Sequence, residues 1–405
     1  MTHTLIRLSL LFAQPAGSIA YAGAQYALLT FFLLQGGLKA AGDYSLAQAI
    51  VAPVFALASL SLRQLWVAGG LMKVEYPPVA VLRMATTTTS LFVILLITAL
   101  VDAEIAVPVL IAVLGLKTLE TFADIAHARF DREGRAHWSG MFALVKGIAI
   151  LVVLAVAYGT GASLYMTAAS VLATVALLLL VEIALAFRRD ERWPGWRSMA
   201  AAFAPIWPAL AWISAANVIV TVSGFVPRYA LDIVATREDL GLFTAVTIPV
   251  ALLLLVTTGL AQSSLREFAD AVQHRDASGL RRVLVERSLL LLGMIALVAL
   301  VLLIAVAPAA AFLGRPLPPS TLSTMVLILP FYVPSFIAQV ISYAYLPLRN
   351  YRYLAGLNLV VLVVQTAIAL PLLGWHPIFG AAALTCLGSL IQLAGFGLAF
   401  RRHLA

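Results

Sequence analysis

Lys117, Glu120 and Asp124 are three of the ionisable side chains in the stretch GLKTLETFADIAHARF, residues 115–130, and they follow directly on the apolar run AVPVLIAVLGL. Lys117, Glu120 and Asp124 are spaced by three and four residues, which places them on one face of a helix, where such neighbours can interact. A charge at bilayer depth costs on the order of 2.5–3.5 kcal/mol on insertion scales unless it meets a partner or water. Each of these charges therefore needs a partner or a function.

Lys146 is a candidate partner for this face. If the segments on either side of residue 133 form an antiparallel hairpin, Lys146 lies at about the depth of Glu120. This geometry predicts an ion pair between Glu120 and Lys146, with Asp124 in the same structural network. For Lys117, which lies deepest, a packing role and a substrate-binding role are both open.

Arg63 and Arg228 are the other two cations inside apolar segments. Neither has a carboxylate deep in its own segment, since Asp232, four residues after Arg228, is expected at the membrane interface. Two roles are open for Arg63: it binds an anion, or it extends its charged head to the membrane surface.

The composition indicates that these segments lie in a lipid bilayer. Hydrophobic residues make up 62% of the 405 residues and charged residues 11%, and the mean hydropathy is +1.01, which is typical of a polytopic membrane protein. The apolar segments are near or above the roughly 20 residues that span a bilayer as a helix and lack the alternation of barrel strands. We therefore predict an all-α protein with twelve transmembrane helices at about 10–36, 44–69, 79–101, 105–128, 138–158, 162–187, 203–231, 241–263, 284–307, 320–346, 352–373 and 377–400.

The basic residues predict the orientation. Alternate loops hold only Lys39, Arg237 and Arg315, whereas the other loops and both tails hold 19 basic residues. These are Arg7, Lys73, Arg83, Arg129, Arg132, Arg135, Arg188, Arg189, Arg192, Arg197, Arg266, Arg275, Arg281, Arg282, Arg287, Arg349, Arg352, Arg401 and Arg402. Positive loops stay inside, so both termini are expected in the cytoplasm. The net charge of +8 then reflects topology and contact with anionic membrane lipids rather than nucleic acid.

A repeat divides the chain into two halves. DYSLAQAIVAPV (43–54) and DLGLFTAVTIPV (239–250) share an aspartate followed by a proline ten residues later. Six spans per half make the repeat parallel. We predict an N-terminal lobe at 1–190, a cytoplasmic linker at 191–201 and a C-terminal lobe at 202–405.

Three stretches carry a resemblance: GDYSLAQAIVAPVFALASLSLR (42–63), KTLETFADIAHARFDREGR (117–135) and VPRYALDIVATREDLGLFTAVTIP (226–249). In them the chain resembles the polysaccharide flippases, of O-antigen type, in the multidrug/oligosaccharidyl-lipid/polysaccharide exporter superfamily. The resemblance implies a V-shaped pair of lobes around a central cavity. It also implies alternating access that carries a polyprenyl-diphosphate-linked oligosaccharide from the cytoplasmic to the periplasmic leaflet of a bacterial inner membrane.

The implied substrate gives the buried cations a role. Because a guanidinium binds phosphate oxygens bidentately, Arg63, then Arg228 and then Lys117 are the predicted contacts of the diphosphate. The implied partners are the lipid-linked oligosaccharide, membrane lipids, a proton or sodium ion that couples transport, and the glycosyltransferases and polymerase of a surface polysaccharide pathway for lipopolysaccharide or O-antigen.

Enzyme motifs are missing from the sequence. It holds no Gly-rich phosphate loop, HExxH or GxSxG, and its six histidines lack ligand spacing, so we expect no enzyme, cofactor or metal site. Two alternatives to the flippase stay open. An ion-coupled drug antiporter would use an intramembrane carboxylate such as Glu182 or Asp124. A polysaccharide polymerase or ligase would need a sizeable outward loop.

The charge asymmetry makes the topology testable. Reporter fusions are expected to report periplasm after residues 40, 103, 160, 236, 316 and 375, and cytoplasm after residues 75, 133, 193, 275, 350 and 403. The readout is alkaline phosphatase activity outside against fluorescence of green fluorescent protein inside. Cytoplasmic signals at half of the first set would contradict the twelve-span topology.

Overall fold

A computed structural model describes residues 2–60, 62–67, 74–100, 105–187, 195–274, 276–301, 304, 319–348 and 350–404. These residues form helices and no strand. The α-helices are α1 (Thr2–Ser59), α2 (Leu62–Val67), α3 (Tyr76–Leu100), α4 (Val107–Arg132), α5 (Ala136–Thr160), α6 (Leu164–Ala186), α7 (Trp196–Phe203), α8 (Trp207–Val234), α9 (Arg237–Val246), α10 (Ile248–Ser263), α11 (Leu265–Gln273), α12 (Ala277–Val301), α13 (Pro319–Tyr345), α14 (Tyr351–Trp375) and α15 (Pro377–Leu404). Short 3₁₀ turns cover Ala204–Ile206 and Leu346–Leu348.

The helices have the length and surface of membrane spans. In the described part of the chain, nine helices are long and apolar enough to cross a bilayer, or ten if the pair α9 and α10, bent by 44°, is one span. Large apolar side chains face outward, such as Phe92 at 69% and Leu180 at 64% exposed. A surface of this kind is stable in lipid but not in water. The chain is therefore a multi-pass membrane protein.

The observed helices do not match the twelve predicted spans one to one. The first span and most of the second lie in the single helix α1, and the eighth spans the bend between α9 and α10. The fourth span is α4, whose six charged residues after position 116 keep it outside the nine. The end of the ninth span, 305–307, lies outside the described residues. The number twelve stays a prediction.

Helix α1 is interrupted at Gly37. Its φ of 71° and ψ of −168° are not helical and suit only a residue without a Cβ. The interruption lies directly after the first predicted span. It separates the helical segment of the first predicted span from that of the second, and no loop lies between them.

The chain divides into two compact units, Met1–Thr221 and Val222–Ala405, and the division lies inside α8. In the first unit, α1 packs along α5 and α4, and α4 packs on α6. In the second, α15 packs on α13 and α14 around Tyr345 and Phe396. The predicted lobes 1–190 and 202–405, their linker at 191–201, of which 191–194 lie outside the described residues, and the V shape stay predictions.

The packing of α1 on α5 depends on a small residue at position 147. A Cβ added to Gly147 would lie 2.7 Å from the backbone carbonyl of Ala20 on α1, closer than real Cβ contacts. Since backbone atoms cannot rotate away as a side chain does, the helices would have to move apart.

We expect Gly147→Ala to lower the thermal unfolding midpoint, because the methyl group meets the α1 backbone. Gly159→Ala is the matched control, since it makes the same change in α5 at a site with nothing within 4 Å. There the better helix propensity of alanine favours folding by about 0.5–1 kcal/mol. Fluorescence-detected size exclusion after heating measures both, and equal midpoints would contradict the close approach.

Candidate functional site

One face of α4 carries a row of ionisable side chains. Lys117, Glu120, Asp124, His127 and Asp131 follow one another by three or four residues, so they lie along one stripe of the helix. The start of α4 is apolar, and Val109, Ala112 and Val113 are buried there. The helix thus brings polar groups from five positions against its neighbours in the first unit.

The first group on this stripe is the pair Lys117 and Glu120. Lys117 Nζ lies 2.7 Å from Glu120 Oε2, and the two side chains are 27% and 21% exposed. Gln25 Nε2 on α1 donates a hydrogen bond to Glu120 Oε1. This group therefore combines a cation, a carboxylate and an amide on a partly accessible face.

The second group surrounds Asp124 and Asp131. Arg63 on α2 donates from Nη1 to Asp124 Oδ1 at 2.8 Å and from Nη2 to Asp131 Oδ2 at 2.8 Å. Arg83 on α3 donates from Nη2 to Asp124 Oδ2 at 3.1 Å. Ser139 on α5 donates to Asp131 Oδ1 at 3.0 Å. The two carboxylates join α2, α3, α4 and α5.

The third group is buried between α4, α5 and α6. Lys146 Nζ on α5 lies 2.7 Å from Glu182 Oε2 on α6, and their side chains are 4% and 0% exposed. His127 Nε2 on α4 lies 3.5 Å from Glu182 Oε1. An ion pair sealed from water in this way needs both members, because either one alone would be an uncompensated charge.

The predicted pair between Glu120 and Lys146 is wrong in its partners. Lys146 binds Glu182, and Glu120 binds Lys117 and Gln25. The hairpin argument used depth alone, and depth allows both carboxylates to reach Lys146. The direction in which a helix points each side chain, which turns by about 100° per residue, decides between them.

Outside the span, the C-terminal end of α4 has its own ionic cluster. Glu133 accepts hydrogen bonds from Arg129 Nε at 3.0 Å and from Arg135 Nη2. Burial raises the pKa of the Glu133 carboxyl, but the bonds from Arg129 and Arg135 outweigh it and hold that pKa below its usual value. Arg132 lies over the ring of Trp66 at 4.2 Å. These contacts anchor the end of α4 to α2.

Arg228 lies in the second unit, on α8. Its Cζ is 5.1 Å from the ring centroid of Phe225 and 6.0 Å from that of Phe243 on α9. The guanidinium also interacts electrostatically with Tyr229 and with Tyr332 on α13, which is buried. Arg228 thus lies among aromatic rings, and its Nη1 also donates to the carbonyl oxygen of Gly224 at 3.5 Å.

The structure brings Asp124 and Arg63 together and gives Lys117 and Lys146 separate carboxylates. Of the three predicted phosphate contacts, Arg63 and Lys117 lie in the first unit and Arg228 in the second, and their binding roles stay predictions. In the described residues, no group of three or more His, Cys, Asp or Glu side chains could hold a metal ion.

Sequence reasoning missed the roles of His127 and Asp131. Both continue the three-and-four spacing that starts at Lys117, so extending the stripe by two turns would have found them. Glu182 was identified only as an ion site for the antiporter alternative. Its isolation in the apolar segment 162–187 was the signal that it needs a partner on another helix.

The ion pair of Lys146 and Glu182 gives a test of the third group. Lys146→Met leaves a buried carboxylate uncompensated and is expected to cost about 3–5 kcal/mol in the free energy of unfolding. The double variant Lys146→Met with Glu182→Gln holds no unpaired charge and should regain most of this. Folded yield and the thermal midpoint measure it, with Lys39→Met, at an exposed lysine, as the control. If the loss of stability in the double variant equals the sum of the losses in the two single variants, the ion pair is contradicted.

The sequence matches no protein-family model and no curated protein. The fold, in contrast, matches solved structures. A multidrug resistance MATE family transporter of the MOP superfamily, in an inward-facing conformation, aligns with a TM-score of 0.68 at 13% identity over 96% of this chain and 94% of that one. A MOP superfamily transporter from Pyrococcus furiosus aligns with a TM-score of 0.64 at 14% identity, over 98% and 95%.

The lipid II flippase MurJ, in an inward closed conformation, aligns with a TM-score of 0.64 at 13% identity over 95% of this chain and 88% of that one. MOP is the superfamily that the sequence resembles. At such identities the likeness concerns the fold, which several functions can share. Over nearly its whole length, this chain has the fold of the MOP superfamily transporters.

Proposed function

We propose that this protein is a flippase, which moves a polyprenyl-diphosphate-linked oligosaccharide from the cytoplasmic to the periplasmic leaflet of a bacterial inner membrane. The observation that carries the proposal is the setting of Arg228, a cation held among aromatic rings inside an apolar helix. A diphosphate needs a cation to enter the membrane, and aromatic faces suit sugar rings. Twelve spans, cytoplasmic termini and a coupling proton or sodium ion belong to the same proposal.

Local features of α8 support a binding role for Arg228. Pro227 lies inside the helix and has no N–H, so it leaves the carbonyl of Ser223 without its helical donor. Ser223 Oγ is itself buried with no hydrogen-bond partner in the described residues. A helix with a carbonyl that lacks its helical donor, a buried hydroxyl and a guanidinium within two turns offers both donors and acceptors to a sugar phosphate.

Lys117 supplies a second cation, on the first unit. Its side chain is 27% exposed and its only charged partner in the described residues is Glu120, to which the amide of Gln25 also bonds. A phosphate could replace Glu120 at Lys117 Nζ while Gln25 retains the released carboxylate. We propose this exchange as the role of the first group on the α4 stripe.

Arg63 enters the proposal in a different role from the one the sequence predicted. Its Nε and Nη2 both donate to Asp131, and its Nη1 donates to Asp124. A guanidinium that already satisfies two carboxylates has lost its bidentate face for phosphate. We therefore propose Arg63 as the link between α2 and α4 and leave phosphate binding to Arg228 and Lys117.

The pairing of carboxylates favours an anionic substrate over a cationic drug. Glu120, Asp124 and Glu182 each lie within ion-pair distance of a lysine or arginine. A cationic drug would have to displace one of those partners, whereas a diphosphate uses the cations directly. A polymerase or ligase would need a sizeable outward loop and is less well supported. Among the described residues, the connection between α5 and α6 has three residues and the connection between α8 and α9 has two.

Translocation of a labelled substrate tests the proposal. The protein is reconstituted in liposomes with a fluorescent, short-saccharide polyprenyl diphosphate, and a membrane-impermeant quencher measures the fraction moved between leaflets. Arg228→Ala is expected to lower the rate about 10- to 100-fold, because a charge-assisted contact to phosphate is worth on the order of 1.5–3 kcal/mol. Arg228→Lys should restore part of it, since an ammonium is not a bidentate fork.

Arg281→Ala is the matched control, because it removes an exposed arginine from the second unit. Equal rates in Arg228→Ala and wild-type protein would contradict the role of Arg228. The antiporter alternative is tested in the same liposomes with a cationic dye and a pH gradient. Uphill uptake of the dye without movement of the labelled lipid would overturn the flippase proposal.

A further inference from the structure

The third group on the α4 stripe, formed by Lys146, Glu182 and His127, has no part in the proposed substrate contacts. It lies deep in the first unit, with Glu182 fully buried and Lys146 4% exposed. A neutral hydrogen-bonded set would fix the helices as well as this charged one does, at a lower cost of desolvation. The retention of three titratable groups at one buried point calls for a chemical reason.

Two polar atoms in this group have no hydrogen-bond partner. Glu182 Oε1 and His127 Nε2 are both buried and unbonded in the described residues, although only 3.5 Å separates them. Leaving a buried carboxylate oxygen and a ring nitrogen unbonded costs on the order of 1–3 kcal/mol each. A proton on Nε2, with the ring charged, would turn this gap into a charge-assisted hydrogen bond and satisfy both atoms.

We infer that Glu182, His127 and Lys146 form a proton-binding site and that the proton bound there is the coupling ion of the transporter. The inference rests on the proposed transport function and names its ion. A hydronium ion from the water phase gives its proton to His127 Nε2: one O–H bond breaks, one N–H bond forms, and a water molecule is released. The group then changes from a neutral set, Lys146⁺ and Glu182⁻, to one with a net charge of +1.

The groups that face Glu182 come from three helices. Lys146 comes from α5, His127 from α4 and Tyr21 from α1, and no other titratable side chain of α6 is described near it. Of the trio, His127 has the most access to water, with 14% of its side chain exposed. The partly exposed side chain of His127 is therefore the point at which the proton enters the trio, and its buried Nε2 is the atom that holds the proton.

Two contacts connect this site to the proposed phosphate contact at Lys117. His127 shares the stripe of α4 with Lys117 and Glu120, so a shift of the helix moves all three. Tyr21 interacts electrostatically with both Glu120 and Glu182. A proton on His127 draws α4 toward Glu182 on α6, and its release relaxes that attraction. The position of Lys117 thus depends on the protonation of His127.

A pH jump tests the site without any lipid substrate. Proteoliposomes on a solid-supported membrane are shifted from about pH 8 to about pH 6, and the transient current reports the charge bound inside the protein. Wild-type protein is expected to give such a current, and His127→Gln to reduce it about tenfold by removing the titrating ring. His137→Gln is the control, because that ring lies beside Trp138 rather than in the trio.

A second measurement covers the case in which His127→Gln folds poorly. A variant in which His3, His137, His274, His376 and His403 are replaced by Gln keeps one histidine. Its ¹⁵N ring signal should titrate over the pH range in which the current appears. A ring signal that does not change across that range would overturn the inference, as would an undiminished current in folded His127→Gln.

The two proposals fail in different ways. The pH-jump current needs no lipid-linked saccharide, so its presence beside a failed flippase assay would leave the proton site intact and remove the substrate proposal. Its absence beside active transport of the labelled lipid would remove the proton site alone.

Discussion

The first unit depends on the cost of placing a charge in hydrocarbon without compensation. Helix α4 carries five ionisable side chains along one stripe, and their partners come from every helix around it. Gln25 comes from α1, Arg63 from α2 and Arg83 from α3, while Ser139 lies on α5 and Glu182 on α6. Because lipid tails provide no hydrophobic drive between apolar helices, such polar pairs specify which helices pack and at what rotation.

Close packing and polar pairing act together where α1 meets α5. Gly147 lies against the backbone of Ala20 on α1, while the preceding residue, Lys146, points to Glu182 on α6. One helix therefore turns a small residue to one neighbour and a charge to the next, as expected from about 100° of rotation per residue.

Sequence reasoning predicted the helices, the membrane environment and the polar face of α4, because these depend on composition and periodicity within one segment. It could not predict the partners of Lys146 or Arg63, because a partner depends on which helices are neighbours. The carboxylates that bind Arg63 lie 61 and 68 residues further along the chain. The absence of a carboxylate in its own segment therefore said nothing about its pairing.

The repeat shows the same limit. Asp43 and Asp239 correspond in sequence, and each accepts a hydrogen bond from a backbone N–H next to a helix start. Asp239 does so locally, in a capping box with Thr236 at the start of α9, whereas Asp43 accepts from Ala106, 63 residues away. The corresponding prolines also differ, since Pro53 lies within α1 and Pro249 follows the 44° bend after α9. The similar stretches 43–54 and 239–250 therefore form different local structures in the two units.

That difference between the units bears on how charge would be used in the proposed transport. In the first unit the cations on or near α4 are balanced by carboxylates, so the binding of one proton would give a neutral group a net charge of +1. In the second unit Arg228 lies among aromatic rings and donates to the backbone carbonyl of Gly224. On the proposed function, a balanced network suits the binding of a small ion, and a guanidinium among aromatic rings and a backbone carbonyl suits a large anion that has to bind and then leave.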